Sequence, residues 1–207
     1  VSAGNYATRH WQGEFRDTDQ DDFLEWTASG DEGNAIPAYD RAFRAGTVSV
    51  YIRWEDQGEP SAYRAALYNP EREEYVAVGN IRIGDTGTNR FALLSRTIQS
   101  QPIQLVIQNY AGPADDEIEV VVTDPQRIER NIPTSSVSVP ADVPTSVGTG
   151  AYIRERGLAV YSSRGPTDDN RRGVAVTGYT NIFTSSELFG GTSAAAPYVG
   201  GVAALVE

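Results

Sequence analysis

The sequence predicts a mainly β chain closed by one small-residue helix, and three observations carry that expectation. Between about Glu14 and Thr123, short β-branched and aromatic runs alternate with turn residues, which argues an antiparallel sandwich or barrel. After Asp124 the texture changes to PQRIERNIPTSSVSVPADVPTSVGTG, rich in Pro, Ser and Thr. The chain then closes on AAAPYVGGVAALVE, an Ala-rich apolar run that reads as a helix.

In chain order the predicted strands are FLEWTAS, GTVSVYIRWED, SAYRAALYN, EYVAVG, NRFALLS, IQLVIQNY and EIEVVV. Within the second, Val48, Val50, Ile52 and Trp54 alternate with Ser49, Tyr51 and Arg53, the period of two that a half-buried strand needs. The connecting stretches NPEREE, GDTGTN and AGPADDE carry the Gly, Pro, Asn and Asp of turns. Trp54 and the tyrosines are expected in core or rim packing rather than on a ligand platform.

Composition narrows the function classes. Of 207 residues 40% are hydrophobic and 22% charged, and the sequence contains no apolar run of about 20 residues, which argues against disorder, collagen-like repeats and a membrane-spanning helix. The net charge is −11 and all 17 basic residues are Arg, a balance that disfavours a nucleic-acid partner. With no Cys there is no disulfide, no thiolate nucleophile and no Cys-ligated zinc. Residues 8–133 hold 22 of the 28 acidic groups and 12 of the 17 arginines, so nearly all the net charge sits in the β-rich block. It reads as a solvated surface that aids solubility, with an acidic docking face as the alternative. Val1 in place of Met, and a helix running to Glu207 without a closing Gly, Asn or Pro, lead us to expect an excised piece of a longer chain.

The most informative string runs from Phe189 to Val206, FGGTSAAAPYVGGVAALV. Gly190 and Gly191 permit a backbone turn closed to larger residues, and Ser193 follows where the helix begins. Two readings of Ser193 stand side by side. It is either the N-cap of a buried helix, or a hydroxyl placed where free N–H groups and the helix dipole steady an oxyanion. The small residues Ala194, Ala195, Ala196, Gly200 and Gly201 are expected to let the helix pack tightly in a core. A further pattern, Asp17-Thr-Asp19-Gln-Asp21-Asp22-Phe-Leu-Glu25, opens like a calcium loop. Asp22 replaces the turn glycine and Ala28 falls at the bidentate position, leaving Glu25 as the nearest substitute; a solvated acidic turn is the alternative.

The string GGTSAAAPYVGGVAAL strongly resembles the nucleophile motif of subtilisin-like serine peptidases, the subtilases. Val1-Ser-Ala-Gly-Asn5 resembles the family strand ending in Ala-Gly-Asn, and Tyr161-Ser-Ser-Arg-Gly-Pro-Thr167 resembles the segment that precedes the nucleophile. VPADVPTSVGTGA is similar to the Pro-Ala-x-x-Pro stretch that leads into a core strand. The resemblance covers residues 1–7 and about 134–207. It implies that Ser193 is the nucleophile and Asn5 the oxyanion-hole side chain, with Ser2, Ala3, Gly4 and Thr192 binding substrate. It also implies a polypeptide substrate, no cofactor for the chemistry, and a secreted or cell-surface protein.

Three departures qualify that expectation. In this family the Asp and His of the triad precede the Ala-Gly-Asn segment, so the chain by itself is expected to be inactive. The sole histidine, His10, follows Asn5 and reads as a structural residue. Tyr198 stands where many relatives carry a second, non-catalytic His, and Arg171–Gly178 lacks the usual Pro-Asp and Ala-Pro-Gly of its loop.

The expected organisation is therefore a core strand at 1–7, a β-sandwich inserted at 8–133 and the C-terminal part of the catalytic core at 134–207. The inserted block resembles the small jelly-roll-like sandwiches that accompany many secreted peptidases, and at that position it would restrict or recruit substrate. The competing function is a pseudo-peptidase whose sandwich binds a protein or a glycan.

Overall fold

A computed structural model describes residues 1–36, 45–56, 58–79, 89–123, 127–185 and 187–206. The GDTGTN turn predicted at 84–89 falls outside the described residues except for the backbone of Asn89. The chain is mainly β with a single helix among the described residues, and it divides into two compact units: Arg9–Asn131, and Val1–Thr8 together with Ile132–Glu207.

Among the described residues the Arg9–Asn131 unit has eight strands: β1 (His10–Glu14), β2 (Asn34–Ile36), β3 (Gly46–Glu55), β4 (Ala62–Asn69), β5 (Glu74–Val78), β6 (Asn89–Ile98), β7 (Ile103–Ala111) and β8 (Glu117–Val122). They form two antiparallel sheets of four, ordered β1-β8-β3-β6 and β2-β7-β4-β5. The alternation read in β3 is real: Val48, Val50, Ile52 and Trp54 are buried, and Tyr51 on the opposite face is 46% exposed. Trp54 meets Tyr63 of the other sheet edge-on at 5.2 Å, and Phe15 lies 5.0 Å from the same ring. Apolar side chains from both sheets thus share one interior, each fully buried one contributing about 1.5–3 kcal/mol. The Tyr63 hydroxyl bonds the buried carboxylate of Asp116 at 2.9 Å; burial, reinforced by that negative charge, pushes the phenol pKa up.

Two expectations fail in this unit. FLEWTAS is not a strand: Phe23 makes a single bridge to Gln108, and the chain then turns, with Thr27 donating to Asp31 and the Trp26 indole donating to the Glu32 carbonyl. Trp26 is buried edge-on against Trp11, so its apolar character serves a turn packed on the sheet. The strands β1 and β2 went unpredicted because HWQGE and NAI lack an alternating apolar pattern. The aromatic expectation holds for Trp54 and Tyr63, while Tyr75 and Tyr110 are more than half exposed.

His10 is fully buried on β1, with Nε2 3.4 Å from Glu119 Oε1. Glu119 lies on β8 between Gln12 of β1 and Arg53 of β3, and Arg53 Nε reaches its other oxygen at 2.7 Å. Burial pulls the Glu119 carboxyl upward, but the adjacent His10 imidazole and the charge of Arg53 outweigh it and hold the pKa below the ordinary 4.5. A lowered carboxyl pKa stabilises the fold above the unfolded-state value, and that stabilisation is lost as pH falls through the folded one. Glu119→Gln should therefore cost about 1–3 kcal/mol at neutral pH. In urea titrations the gap from wild type should shrink as pH drops below about 4.5; a gap independent of pH would show that the charge is not the cause.

The second unit is organised on β9 (Gly148–Ile153), flanked antiparallel by β10 (Gly157–Leu158) and parallel by β11 (Val174–Tyr179). A two-residue pair, β12 (Ile182–Phe183) and β13 (Leu188–Phe189), precedes helix α1 (Thr192–Ala204). The helix seats its first turns on the sheet through small residues: Ala151, Ala159 and Ala195 form a buried cluster, and a Cβ at Gly178 would lie 2.5 Å from the Ala195 carbonyl. The expected tight packing stops there. A Cβ at Gly200 or Gly201 would meet no other described part of the protein within 4 Å, Val202 is 48% exposed and Leu205 88%.

Candidate active site

The first five residues enter the second unit as an added strand. Ser2 bridges Thr149 in parallel, Thr149 N–H donates to the Val1 carbonyl at 2.8 Å, and Ala3 N–H donates to the Thr149 carbonyl at 3.0 Å. On the other side Ser138 N–H donates to Ala3 and Ser163 N–H to Gly4, at 3.2 and 3.0 Å. Gly4 has φ 103, and a Cβ there would stand 2.7 Å from Ser138 Oγ and 2.9 Å from Ser163 Oγ, so neither conformation nor space admits another residue.

This strand meets the start of α1. The N-cap is Gly191, at φ 84, and it offers no side-chain acceptor to the first turn. Asn5 supplies one from 187 residues away: its Oδ1 accepts the Thr192 N–H at 3.0 Å and the Thr192 hydroxyl at 3.1 Å. Gly4 N–H donates to Thr192 Oγ1 at 3.3 Å, and Ser2 Oγ donates to the Thr192 carbonyl at 3.2 Å. Asn5, Ser2, Gly4 and Thr192 are thereby brought together. Ala3 is fully buried beside them, held by backbone bonds only.

Ser193 is the second residue of the helix, not its cap, and it is exposed. This corrects the N-cap reading, because the turn ends one residue earlier than the hydroxyl pattern suggests. Ala194 N–H and Ala195 N–H both donate to the Gly191 carbonyl, at 3.1 and 3.3 Å, while the Ser193 N–H has no acceptor among the described residues. Since Oδ1 of Asn5 is engaged by Thr192, its Nδ2 is the free end of the amide, and it too has no acceptor among the described residues. Two donors therefore stand open at the positive end of a helix whose first turn contains no acidic residue. Such an arrangement suits a developing negative oxygen beside the Ser193 hydroxyl. The chain's one histidine, His10, lies in the other unit.

Tyr198 packs edge-on against Tyr179 at 5.5 Å, and Tyr179 against Tyr152 at 5.8 Å. These rings, with Thr177 and Gly178, line a cavity of about 290 Å³. In the Arg171–Gly178 stretch, Arg171 pairs with Asp169 at 2.6 Å before β11 begins. In the other unit the ligand oxygens of Asp17, Asp19 and Asp21 lie within 4.8 Å of one another. Desolvation, and then the charges of Asp21, Asp17 and Glu25, raise the Asp19 pKa. Glu25 is not among the three converging carboxylates, and its Oε1 accepts from both the N–H and the hydroxyl of Thr18. Sequence reasoning passed over Tyr161 and Thr180, whose hydroxyls bond Gly191; only a fold that brings residues 161, 180 and 191 together reveals them.

A family model described as the Subtilase family matches residues 57–207. The chain belongs to the subtilase family. The match begins inside the Arg9–Asn131 unit and does not include the Val1–Asn5 strand. No curated protein matches the chain. Among solved structures, one described as the structure of the Clostridium perfringens CspB protease is similar in fold, with a TM-score of 0.61 at 15% identity. The alignment covers 100% of this chain and 47% of that one, so the subtilase described here spans less than half the length of its structural neighbour.

Asn5→Ala removes the acceptor from the Thr192 N–H and should weaken the start of α1 by about 1 kcal/mol. The check is faster hydrogen exchange at the Thr192 amide. Asn5→Asp keeps an acceptor at the positive helix end and should preserve protection; equal loss in both variants would show that Oδ1 is not the cap.

Proposed function

We propose that this chain is the nucleophile-bearing part of a subtilisin-like serine endopeptidase that cleaves polypeptides through an acyl-enzyme on Ser193. One observation carries the reading: Asn5 is locked through Oδ1 onto Thr192, next in sequence to the exposed Ser193, and among the described residues its Nδ2 and the Ser193 N–H both lack an acceptor. In the proposed reaction Ser193 Oγ attacks the scissile carbonyl and its proton passes to a histidine base upstream of Val1. The carbonyl oxygen becomes an oxyanion that accepts from Asn5 Nδ2 and Ser193 N–H. Collapse expels the amine, which takes the proton from the histidine, and water then repeats the sequence on the acyl-enzyme. Removing one such donor costs about 10²–10³ in rate, a size established on subtilisin itself. Of the four residues expected to bind substrate, Ser2 and Gly4 keep partly exposed surface and would contact it, whereas Ala3 and Thr192 are buried and would act by holding them in place.

Within the same reading, residues 8–133 are a jelly-roll sandwich inserted in the catalytic domain. The strand orders β1-β8-β3-β6 and β2-β7-β4-β5 support this, being those of an eight-stranded double Greek key. Family membership supports a secreted or cell-surface setting. The deciding experiment is labelling by a fluorophosphonate probe. This chain and the Ser193→Ala variant of the longer protein should stay unlabelled, and the unmutated longer protein should label. Failure of that folded protein to label would remove Ser193 as nucleophile and favour a protein- or glycan-binding role for the sandwich.

The convergence of Asp17, Asp19 and Asp21, whose mutual repulsion a divalent cation would relieve, supports a structural calcium ion there. Calcium should raise the melting temperature by a few degrees, with the shift abolished in Asp19→Asn. No heat in isothermal titration, together with no thermal shift, would dismiss the site.

A further inference from the structure

The Gly190-Gly191 turn, which sets the direction of the first turn of α1, is gripped by two side chains from outside the nucleophile motif. Tyr161 lies in the segment after β10 and packs its ring against the buried Ala151, Ala159 and Ala195 cluster. Thr180 follows β11, is 5% exposed, and is fixed by its own N–H donating to the Tyr152 carbonyl at 3.0 Å. Gly191 N–H donates to the Tyr161 hydroxyl at 3.3 Å, and Thr180 Oγ1 donates to the Gly191 carbonyl at 3.0 Å. The two hydroxyls are 3.3 Å apart.

Proton counting orients this set. Each hydroxyl has one hydrogen. Thr180 uses its hydrogen on the Gly191 carbonyl, so in the contact between the hydroxyls Thr180 must accept, and Tyr161 donates. The result is a closed ring: Gly191 N–H to Tyr161, Tyr161 O–H to Thr180, Thr180 O–H back to Gly191. Both polar groups of a single glycine are held by partners rooted in the sheet. That glycine needs holding, because φ 84 with no side chain leaves it the least constrained residue in the segment, and a Cβ there would approach Asn5 Nδ2 to 2.9 Å.

Gly191 stands two residues before Ser193, and its carbonyl also accepts the Ala194 and Ala195 N–H groups. A rotation of this residue would therefore re-aim the Ser193 N–H and open the gap to Asn5 Nδ2. We propose that Tyr161 and Thr180 are positioning residues that lock Gly191 and so hold the Ser193 N–H and the Asn5 amide at a fixed separation. This rests on the reading of Ser193 as the nucleophile. The two residues touch neither the substrate nor the reacting atoms; their effect is transmitted through the glycine, and donor placement errors well under 1 Å matter at such sites.

The test uses Tyr161→Phe and Thr180→Val, which keep ring and volume, with Tyr152→Phe as a control that removes an exposed hydroxyl from the same unit. In this chain, hydrogen exchange at the Gly191 amide should speed up about tenfold in Tyr161→Phe and stay unchanged in Tyr152→Phe. In the longer protein, both clamp variants should lower kcat about 5- to 50-fold with KM within twofold. The double variant should lose little more than either single one, since opening the ring once frees the glycine. Unchanged Gly191 exchange overturns the clamp. Faster exchange with unchanged kcat, or a loss confined to KM, overturns its positioning role. If the wild-type longer protein neither labels nor cleaves, the Ser193 reading fails and takes the positioning role with it, while the exchange result still reports separately on whether the ring exists.

Discussion

The pair of hydrogen bonds from Thr192 to the Asn5 side chain is the constraint on which the rest of the candidate site depends. A helix starting at a glycine leaves its first N–H groups without a local acceptor, and a short amino-terminal strand leaves its last side chain without a fixed rotamer. Each solves the other's problem. Because the amide oxygen is consumed in capping, the amide nitrogen is left as the free donor, and the same bond that stabilises the helix also fixes the amide plane. Structure and proposed chemistry are opposite ends of one planar group.

This arrangement explains why the surrounding residues are so small. Ser2 and Gly4 meet Thr192 through bonds between side chain and backbone, and a side chain at Gly4 would strike Ser138 and Ser163. On the far side the helix rests on alanines and against Gly178, where close approach takes the place of large apolar contacts. Interlocking of this kind contributes little hydrophobic energy per residue, so fixed hydrogen bonds carry the definition of the local geometry. The Tyr161 and Thr180 hydroxyls extend that network to the turn itself.

The Arg9–Asn131 unit is stabilised differently. Its two sheets enclose Trp54, Tyr63 and a full set of branched aliphatic residues, and its charged groups are managed at defined points, as where Glu119 answers both His10 and Arg53. Part of the acidity concentrated in residues 8–133 sits in the exposed Asp17–Asp22 turn, where the Asp17 and Asp21 carboxylates accept from the loop's own backbone.

Much of this was legible in the sequence. Alternation over Val48–Trp54 announces β3 because a half-buried strand needs a period of two, and the Gly-Thr-Ser string announces Ser193 at a helix start because turn chemistry is local. Strands β1 and β2 were invisible, since short segments without alternation become strands only through the partners they pair with. FLEWTAS misled because Trp26 is apolar for the sake of packing on Trp11, not for a strand face. The identity of the true N-cap, the capping of α1 by the Asn5 amide and the ring around Gly191 were decided by tertiary structure alone. The physical reason is the same in each case: a hydrogen bond between residues far apart in the chain leaves no periodic trace in composition, because its partners are set by folding geometry and not by neighbours in sequence.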